Sequence, residues 1–235
     1  MWVADMDFKA PEPVLQALHE RIDHGIFGYA CPEVGTIEAV IGMLQHNYNW
    51  AVEEEWLVWL PGLVVGLNIT SRAFAEPGEN ILTTTPIYPP FLLGPRFQNR
   101  SVKKAKMALD GEKWVIDWEA MEAAVDSQTR MFFFCNPHNP CARVFDRSEL
   151  EAVASFCQRH NLILCSDEIH CELLLDGQSH TPIATLSEEV SKNSFTLIAP
   201  SKTYNLAGLG CSLAIIPDRD LRHRFNSATR GIMAE

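Results

Sequence analysis

Apolar and polar positions along this chain fall into short blocks whose period changes. Brief apolar runs occupy 56–60, 80–84, 131–135, 162–166, 194–199 and 213–216. Most are rich in β-branched or large apolar residues, and short runs without strict alternation predict strands buried on both faces. Between them the spacing becomes helical, over 12–23, 36–48, 63–75, 118–125 and 218 to about 230. Asp146-Arg147-Ser148-Glu149 has the form of a capping box, with Asp146 at the N-cap and Glu149 three positions on. The helix it opens sets Leu150, Val153, Ala154 and Cys157 on one face. Gly25 stands just past the first helix, where a glycine commonly ends the last turn. Strands alternating with helices imply an α/β fold, a three-layer sandwich whose mostly parallel sheet is covered on both faces. No internal repeat or low-complexity tract interrupts the pattern.

In open α/β sheets ligands bind beyond the carboxyl ends of the strands. The unusual polar segments of this chain all follow predicted strands. Pro61-Gly62 follows the first, and Thr85-Pro86-Ile87-Tyr88-Pro89-Pro90 the second. Asn136-Pro137-His138-Asn139-Pro140 follows 131–135, Asp167-Glu168-Ile169-His170 follows 162–166, and Pro200-Ser201-Lys202 lies at the end of 194–199. Five polar loops on one sheet edge predict a single large site.

Composition removes several alternatives. Thirty acidic and 19 basic residues give a formal charge of −11, which repels phosphate backbones and argues against a nucleic-acid partner. The seven cysteines are scattered, form no C-x-x-C pair and sit partly inside apolar runs, a usage that suits the reducing cytoplasm. No apolar run approaches the ~20 residues of a membrane span. The first residues lack the basic-then-apolar form of a signal peptide.

Taken singly, the polar residues have ordinary explanations. A lone lysine is usually a solvated charge, and an aspartate at a strand end is often a helix cap. Together they suggest more. A lysine in a partly desolvated crevice loses proton affinity and can add to an aldehyde. A carboxylate such as Asp167 across that crevice can keep a pyridine nitrogen protonated, which makes the ring an electron sink. Asn139 offers a donor to a ring oxygen, and Tyr88, in a proline-flanked loop, offers a face for stacking. Gly62 opens a turn into a helix whose free N–H groups suit a phosphate.

The strings Asn136-Pro137-His138-Asn139-Pro140, Ser166-Asp167-Glu168-Ile169-His170 and Ser201-Lys202-Thr203-Tyr204-Asn205 resemble the fold-type-I, class I/II aminotransferase superfamily, whose cofactor is pyridoxal 5′-phosphate. Trp2-Val3-Ala4-Asp5-Met6-Asp7-Phe8, Phe27-Gly28-Tyr29, Pro86-Ile87-Tyr88-Pro89-Pro90-Phe91 and the run from Ala199 to Gly208 resemble its cystathionine β-lyase, or C–S lyase, branch. The resemblance runs nearly from end to end. It implies Lys202 as the Schiff-base lysine and the acid/base at the substrate Cα, Asp167 as partner of the pyridinium nitrogen, and Asn139 at the ring oxygen. Tyr88 takes the stacking place, and the backbone of Gly62, Leu63 and Val64 holds the phosphate. Tyr29 matches a tyrosine that reaches the phosphate of a second subunit, so a homodimer with shared sites is implied. The implied architecture is the large domain of such transferases with the small domain mostly absent. Residues 1–30 lead into that domain, 31–217 form it, and 218–235 begin the helix toward a missing C-terminal domain.

Three positions depart from the family pattern. His170 stands where many relatives have a tyrosine, and its ring either hydrogen-bonds near the cofactor oxygen or is a buried structural histidine. Ala199 replaces a serine, leaving Ser201 as the candidate phosphate ligand. Glycine around Gly210 replaces an arginine of many aminotransferases, which argues against a standard transaminase. Glu168, His170 and Cys171, or His138 and Cys141, form a competing metal reading, but neither set has zinc-ligand spacing, and no metal is expected. The function implied is C–S β-lysis of cystathionine or cysteine S-conjugates, a small amino-acid substrate, to thiol, pyruvate and ammonia. The alternatives are a pyridoxal-phosphate aminotransferase and a truncated, inactive pyridoxal-phosphate-binding domain.

Overall fold

Phe132, Phe133 and Phe134 are consecutive, and all three are completely buried. A strand points successive side chains to opposite faces, so such a run is stable only where both faces are covered. The computed structural model, which describes residues 6–29 and 31–233, covers both. Residues 1–5 of the predicted N-terminal segment, residue 30 and residues 234–235 lie outside the described residues.

The first half runs α1 (Glu12–His24), α2 (Val34–Tyr48), β1 (Leu57–Leu60), α3 (Leu63–Phe74), β2 (Asn80–Thr85), α4 (Pro90–Phe97) and β3 (Ser101–Lys106). A hairpin of β4 (Ala108–Asp110) and β5 (Lys113–Val115) leads to α5 (Trp118–Ala124), β6 (Thr129–Cys135) and α6 (Arg147–Arg159). The remainder is β7 (Ile163–Asp167), α7 (Glu188–Lys192), β8 (Ser194–Ile198), α8 (Pro200–Thr203), β9 (Ser212–Ile215) and α9 (Arg219–Thr229). Seven strands form one sheet in the order β1-β9-β8-β7-β6-β2-β3. The pairs β3–β2, β2–β6, β6–β7 and β7–β8 are parallel, whereas β9 runs antiparallel to both its neighbours. The expectation of a mostly parallel sheet holds, with β9 the reversed strand.

Each sheet face carries its own core. Met131, Phe133 and Cys135 pack with Ile81, Cys165, Phe195 and Leu197 against Leu67, Ile69 and Phe74 of α3 and Phe225 of α9. Phe132 and Phe134 point the other way and pack with Leu82 and Leu164 against Met121 of α5 and Leu150, Val153 and Phe156 of α6. The three layers follow from this alternation. The capping box at α6 is present in full, Asp146 accepting from Glu149 N–H and Glu149 from Asp146 N–H. Gly25 closes α1 in a left-handed conformation, φ 73°. Among the described residues no helix is long and apolar enough to cross a membrane.

The pattern did not foretell β3, the β4–β5 hairpin, α4 or the short α7 and α8. β3 is an edge strand with lysines at 103, 104 and 106, the composition that edges use to resist pairing with other chains and that hides them from a search for apolar runs. α4 contains Gly94 and Pro95, which read as a loop in isolation. Trp56 lies in a 3₁₀ turn ahead of β1.

Phe195 is completely buried on β8, with its ring 5.4 Å from that of Phe74 and 6.1 Å from that of Phe225. It therefore fastens both α3 and α9 to the sheet. Phe195→Ala is expected to lower unfolding free energy by about 3–5 kcal/mol, read from the denaturant midpoint. A loss under about 1 kcal/mol would show that the two helices are held by other contacts.

Candidate active site

Parallel pairing brings the loop-bearing strand ends together. Cys135 pairs with Asp167, and Asp167 with Leu197. Backbone hydrogen bonds then continue across the loops. Tyr88 N–H donates to Asn139 C=O at 3.1 Å, Asn136 N–H to Asp167 C=O at 3.0 Å, and Glu168 N–H to Leu197 C=O at 2.9 Å. The four segments carrying Tyr88, Asn139, Asp167 and Lys202 thus lie in sheet order along one edge.

Lys202 sits on the single turn of α8, with Pro200 at its start, immediately beyond β8. Ser201 and Lys202 are both partly buried. Asp167 ends β7 and is 5% exposed. Its carboxylate accepts a single hydrogen bond among the described residues, from Ile169 N–H to Oδ1 at 3.1 Å. Burial pushes its carboxyl up to about 7, against the lowering effect of that N–H; Glu168 adds to the rise, and the Lys202 charge opposes it. The charge of Lys202 is also felt at His170, whose imidazole is held below its ordinary value by burial first and by Lys202 second. A buried acid lacking a cationic donor, beside a lysine and a neutral imidazole, is the arrangement into which a protonated aromatic nitrogen fits.

The predicted phosphate end lies at the start of α3. Gly62 precedes it in extended conformation, and the first helical bond is Gly66 N–H to Gly62 C=O at 3.1 Å. The amides of Leu63, Val64 and Val65 have no helical carbonyl to reach and point out of the helix start. A Cβ on Gly62 would meet nothing within 4 Å, so open space lies over that terminus. Gly210 explains one family departure. It has φ 61°, and a Cβ there would lie 3.1 Å from Pro61 C=O. A side chain at that position would be strained and would crowd the Pro61 carbonyl.

Asn139 is partly buried and its carboxamide makes no hydrogen bond among the described residues. The Tyr88 side chain is 37% exposed, while its backbone is tied to Asn139. Tyr29 is 95% exposed, away from any cover this chain supplies. Lys202, Asp167 and His170 are therefore neighbours, Tyr88 and Asn139 border them, and Gly62–Val64 form the helix start along the same edge.

Sequence reasoning missed several supports. Glu168 is committed to protein partners. It accepts from Ser166 Oγ at 2.9 Å and Ile183 N–H at 3.1 Å, and its Oε2 lies 2.7 Å from His180 Nε2. Both members of that pair are essentially inaccessible. An acid directly after a buried strand must find partners, but nothing local says which of eight histidines it finds. Glu172 accepts from Asn47 Nδ2 at 3.4 Å and Thr203 Oγ1 at 3.3 Å, linking α2 to the lysine turn. Asn136, wholly buried, holds its loop by accepting from Phe145 N–H at 3.0 Å.

The aminotransferase class I and II family model matches residues 4–233. Cystathionine beta-lyase PatB of Bacillus subtilis is 42% identical over 229 residues, 97% of this chain and 59% of that protein. Protein MalY of Escherichia coli is 27% identical over 97% of this chain and 58% of its own length. The crystal structure of OvoB superposes with a TM-score of 0.96 at 43% identity, covering 100% of this chain and 62% of that one. Cystalysin from Treponema denticola, described as containing a pyridoxal 5′-phosphate cofactor, gives a TM-score of 0.92 at 31% identity over 96% and 58%. The chain spans little more than half the length of the curated relatives it matches.

The raised Asp167 carboxyl has a consequence for stability. In the cofactor-free protein the folded state holds this proton more tightly than the unfolded state does. Stability from this group is therefore fully present below the ordinary aspartate value and is lost as pH rises toward about 7. Asp167→Asn removes that loss. Without cofactor, the variant is expected to gain on the unmodified protein by a few kcal/mol between about pH 4 and 7, measured as urea midpoints. Parallel profiles would contradict the assignment.

Proposed function

Because this chain belongs to the class I and II aminotransferase family, we propose that it binds pyridoxal 5′-phosphate and serves a carbon–sulfur β-lyase acting on cystathionine or cysteine S-conjugates. The observation that carries the cofactor reading is Asp167, a buried acid with one backbone donor, beside Lys202 and His170. The β-lyase reading is supported by 42% identity to PatB and by the structural likeness to cystalysin. Gly210 supports it too, since a side chain in its left-handed backbone would be strained where many aminotransferases carry an arginine.

Pyridoxal phosphate supplies an aldehyde that accepts an amine and a ring that withdraws electron density from the substrate Cα. Lys202 provides the amine that attaches the cofactor. Freed by the substrate's amino group, its Nζ would be the base for the Cα proton. Asp167 would pair with the ring nitrogen and favour its protonated form, the condition for withdrawing charge. Asn139 would donate to the ring oxygen, His170 is a second candidate donor there, and Tyr88 would cover a ring face. The N–H groups of Leu63 and Val64 after Gly62, with Ser201, would hold the phosphate. Loss of the Cα proton and of the Cβ thiolate, followed by return of Lys202 Nζ to the aldehyde carbon in place of the substrate nitrogen, would free 2-aminoacrylate, which water would convert to pyruvate and ammonia. The thiolate takes up a proton, from Lys202 among other acids, and leaves as thiol.

We infer a homodimer in which Tyr29 reaches the phosphate of the second copy. Tyr29 is 95% exposed, α1 buries none of its residues, and Ile26, Phe27 and Val34 each leave about two thirds of their surface open. A cytoplasmic location fits the seven cysteines, which are unpaired.

Purified with pyridoxal phosphate, the protein is expected to show the visible band of lysine-bound cofactor and to release pyruvate from L-cystathionine without an oxo-acid acceptor. Lys202→Ala is expected to abolish the band and to lower turnover by at least about 1,000-fold. Turnover only with 2-oxoglutarate would replace the lyase reading by a transaminase. A band without turnover of either kind would leave a cofactor-binding domain that is inactive alone.

A further inference from the structure

The turn that carries Lys202 ends at Asn205, which adopts a left-handed conformation, φ 56°. Leu206 N–H bonds back to Ser201 C=O at 2.8 Å and Tyr204 N–H to Pro200 C=O at 2.9 Å. A left-handed residue beyond a short helix with a bond reaching back over it is a common way to stop a helix. Asparagine is among the few side chains that tolerate that backbone. Stopping the turn does not require a carboxamide, since glycine does it at lower steric cost.

The carboxamide has another use. Its Oδ1 accepts from Met6 N–H at 3.1 Å. Its Nδ2 donates to Met6 C=O at 3.1 Å and to Phe8 C=O at 2.8 Å. One planar amide thus satisfies both backbone groups of Met6 and one of Phe8, as a neighbouring strand would. The residues joined are 199 positions apart, and the pinned segment leads into α1, which buries nothing in this chain. Asn205 is three residues past Lys202.

We propose that Asn205 is a positioning residue: it pins the N-terminal segment at Met6 and Phe8 beside the lysine turn, so that this segment forms a wall of the amino-acid substrate site. The proposal rests on Lys202 being the cofactor lysine. The pin acts on substrate by where it holds the Met6–Phe8 backbone, and the carboxamide itself is committed to that backbone.

Asn205→Gly keeps the left-handed turn and removes all three bonds. Asn205→Asp keeps an acceptor and loses both donors. In the full chain loaded with pyridoxal phosphate, amide exchange over residues 6–9, followed by mass spectrometry, should accelerate at least about tenfold in Asn205→Gly and measurably in Asn205→Asp. The wavelength and intensity of the visible band should stay as in the unmodified protein. The L-cystathionine concentration that half-shifts the band should rise about tenfold, and kcat should fall by less than that. A merely structural role would lower melting temperature and cofactor occupancy without moving the half-shift concentration. Unchanged exchange in both variants, or an unchanged half-shift concentration with the band intact, would overturn the proposal. No band in the unmodified protein would instead overturn the reading of Lys202, and with it the substrate wall, while the exchange rates still report whether the pin exists.

Discussion

Everything at this site depends on the in-register parallel pairing of β2, β6, β7 and β8. Parallel strands that begin on one side of a sheet also end on one side, and the register makes Cys135, Asp167 and Leu197 neighbours in a row. The loops that follow inherit that alignment through the Tyr88–Asn139, Asn136–Asp167 and Glu168–Leu197 backbone bonds. Those bonds also meet the requirement that buried peptide groups be paired. The order of residues along the site is therefore the order of strands in the sheet. The phenylalanine-rich cores on both faces exclude a slip in that register, since shifting a strand by one residue would send each side chain to the opposite core.

Within that frame, adjacent acids do different work because they leave β7 in different directions. Asp167 faces the edge where Lys202 and His170 lie, and burial without a cation raises its carboxyl to about 7. Glu168 turns away to Ser166, Ile183 and His180, with three contacts to its two oxygens. The contrast concerns satisfaction more than depth, for Glu168 is 1% exposed and Asp167 5%. A fully satisfied buried acid fastens structure, whereas one with a missing partner waits for a ligand. The negative charge of Glu168 also raises Asp167, so the structural acid contributes to the tuning of the other.

The strands and most of the helices were legible because their signals are local and physical. An unbroken apolar run such as Met131–Cys135 has no stable place except a sheet covered on both faces. The Asp146–Glu149 box names its own helix start. Lys202, Asp167 and Asn139 were legible because polar residues at successive strand ends must converge once the sheet is parallel. What escaped needed partners remote in sequence. Nothing near Glu168 points to His180, and nothing near Asn205 points to Met6. β3 escaped because its lysines, which suit an edge, erase the apolar pattern by which strands are found. The direction of β9 was not legible either. The connection from β8 to β9, residues 199–211, is long enough for a parallel crossover, and only its content, the one-turn α8 and a 3₁₀ turn in place of a helix that could cross a sheet face, goes with the reversed strand.

The Met6–Asn205 contact shows why such a long-range tie is affordable to the fold. The entropy of closing a loop grows only with the logarithm of its length, each doubling costing about 0.6 kcal/mol more. Three bonds to one carboxamide, each worth about 1 kcal/mol net, are of the size required to order two or three backbone residues at 1–2 kcal/mol apiece. The balance is close to even. A segment held by such a margin is set in place in the folded protein yet can loosen without disturbing the sheet, and residues that border a substrate's path in and out are drawn from that low-stability end.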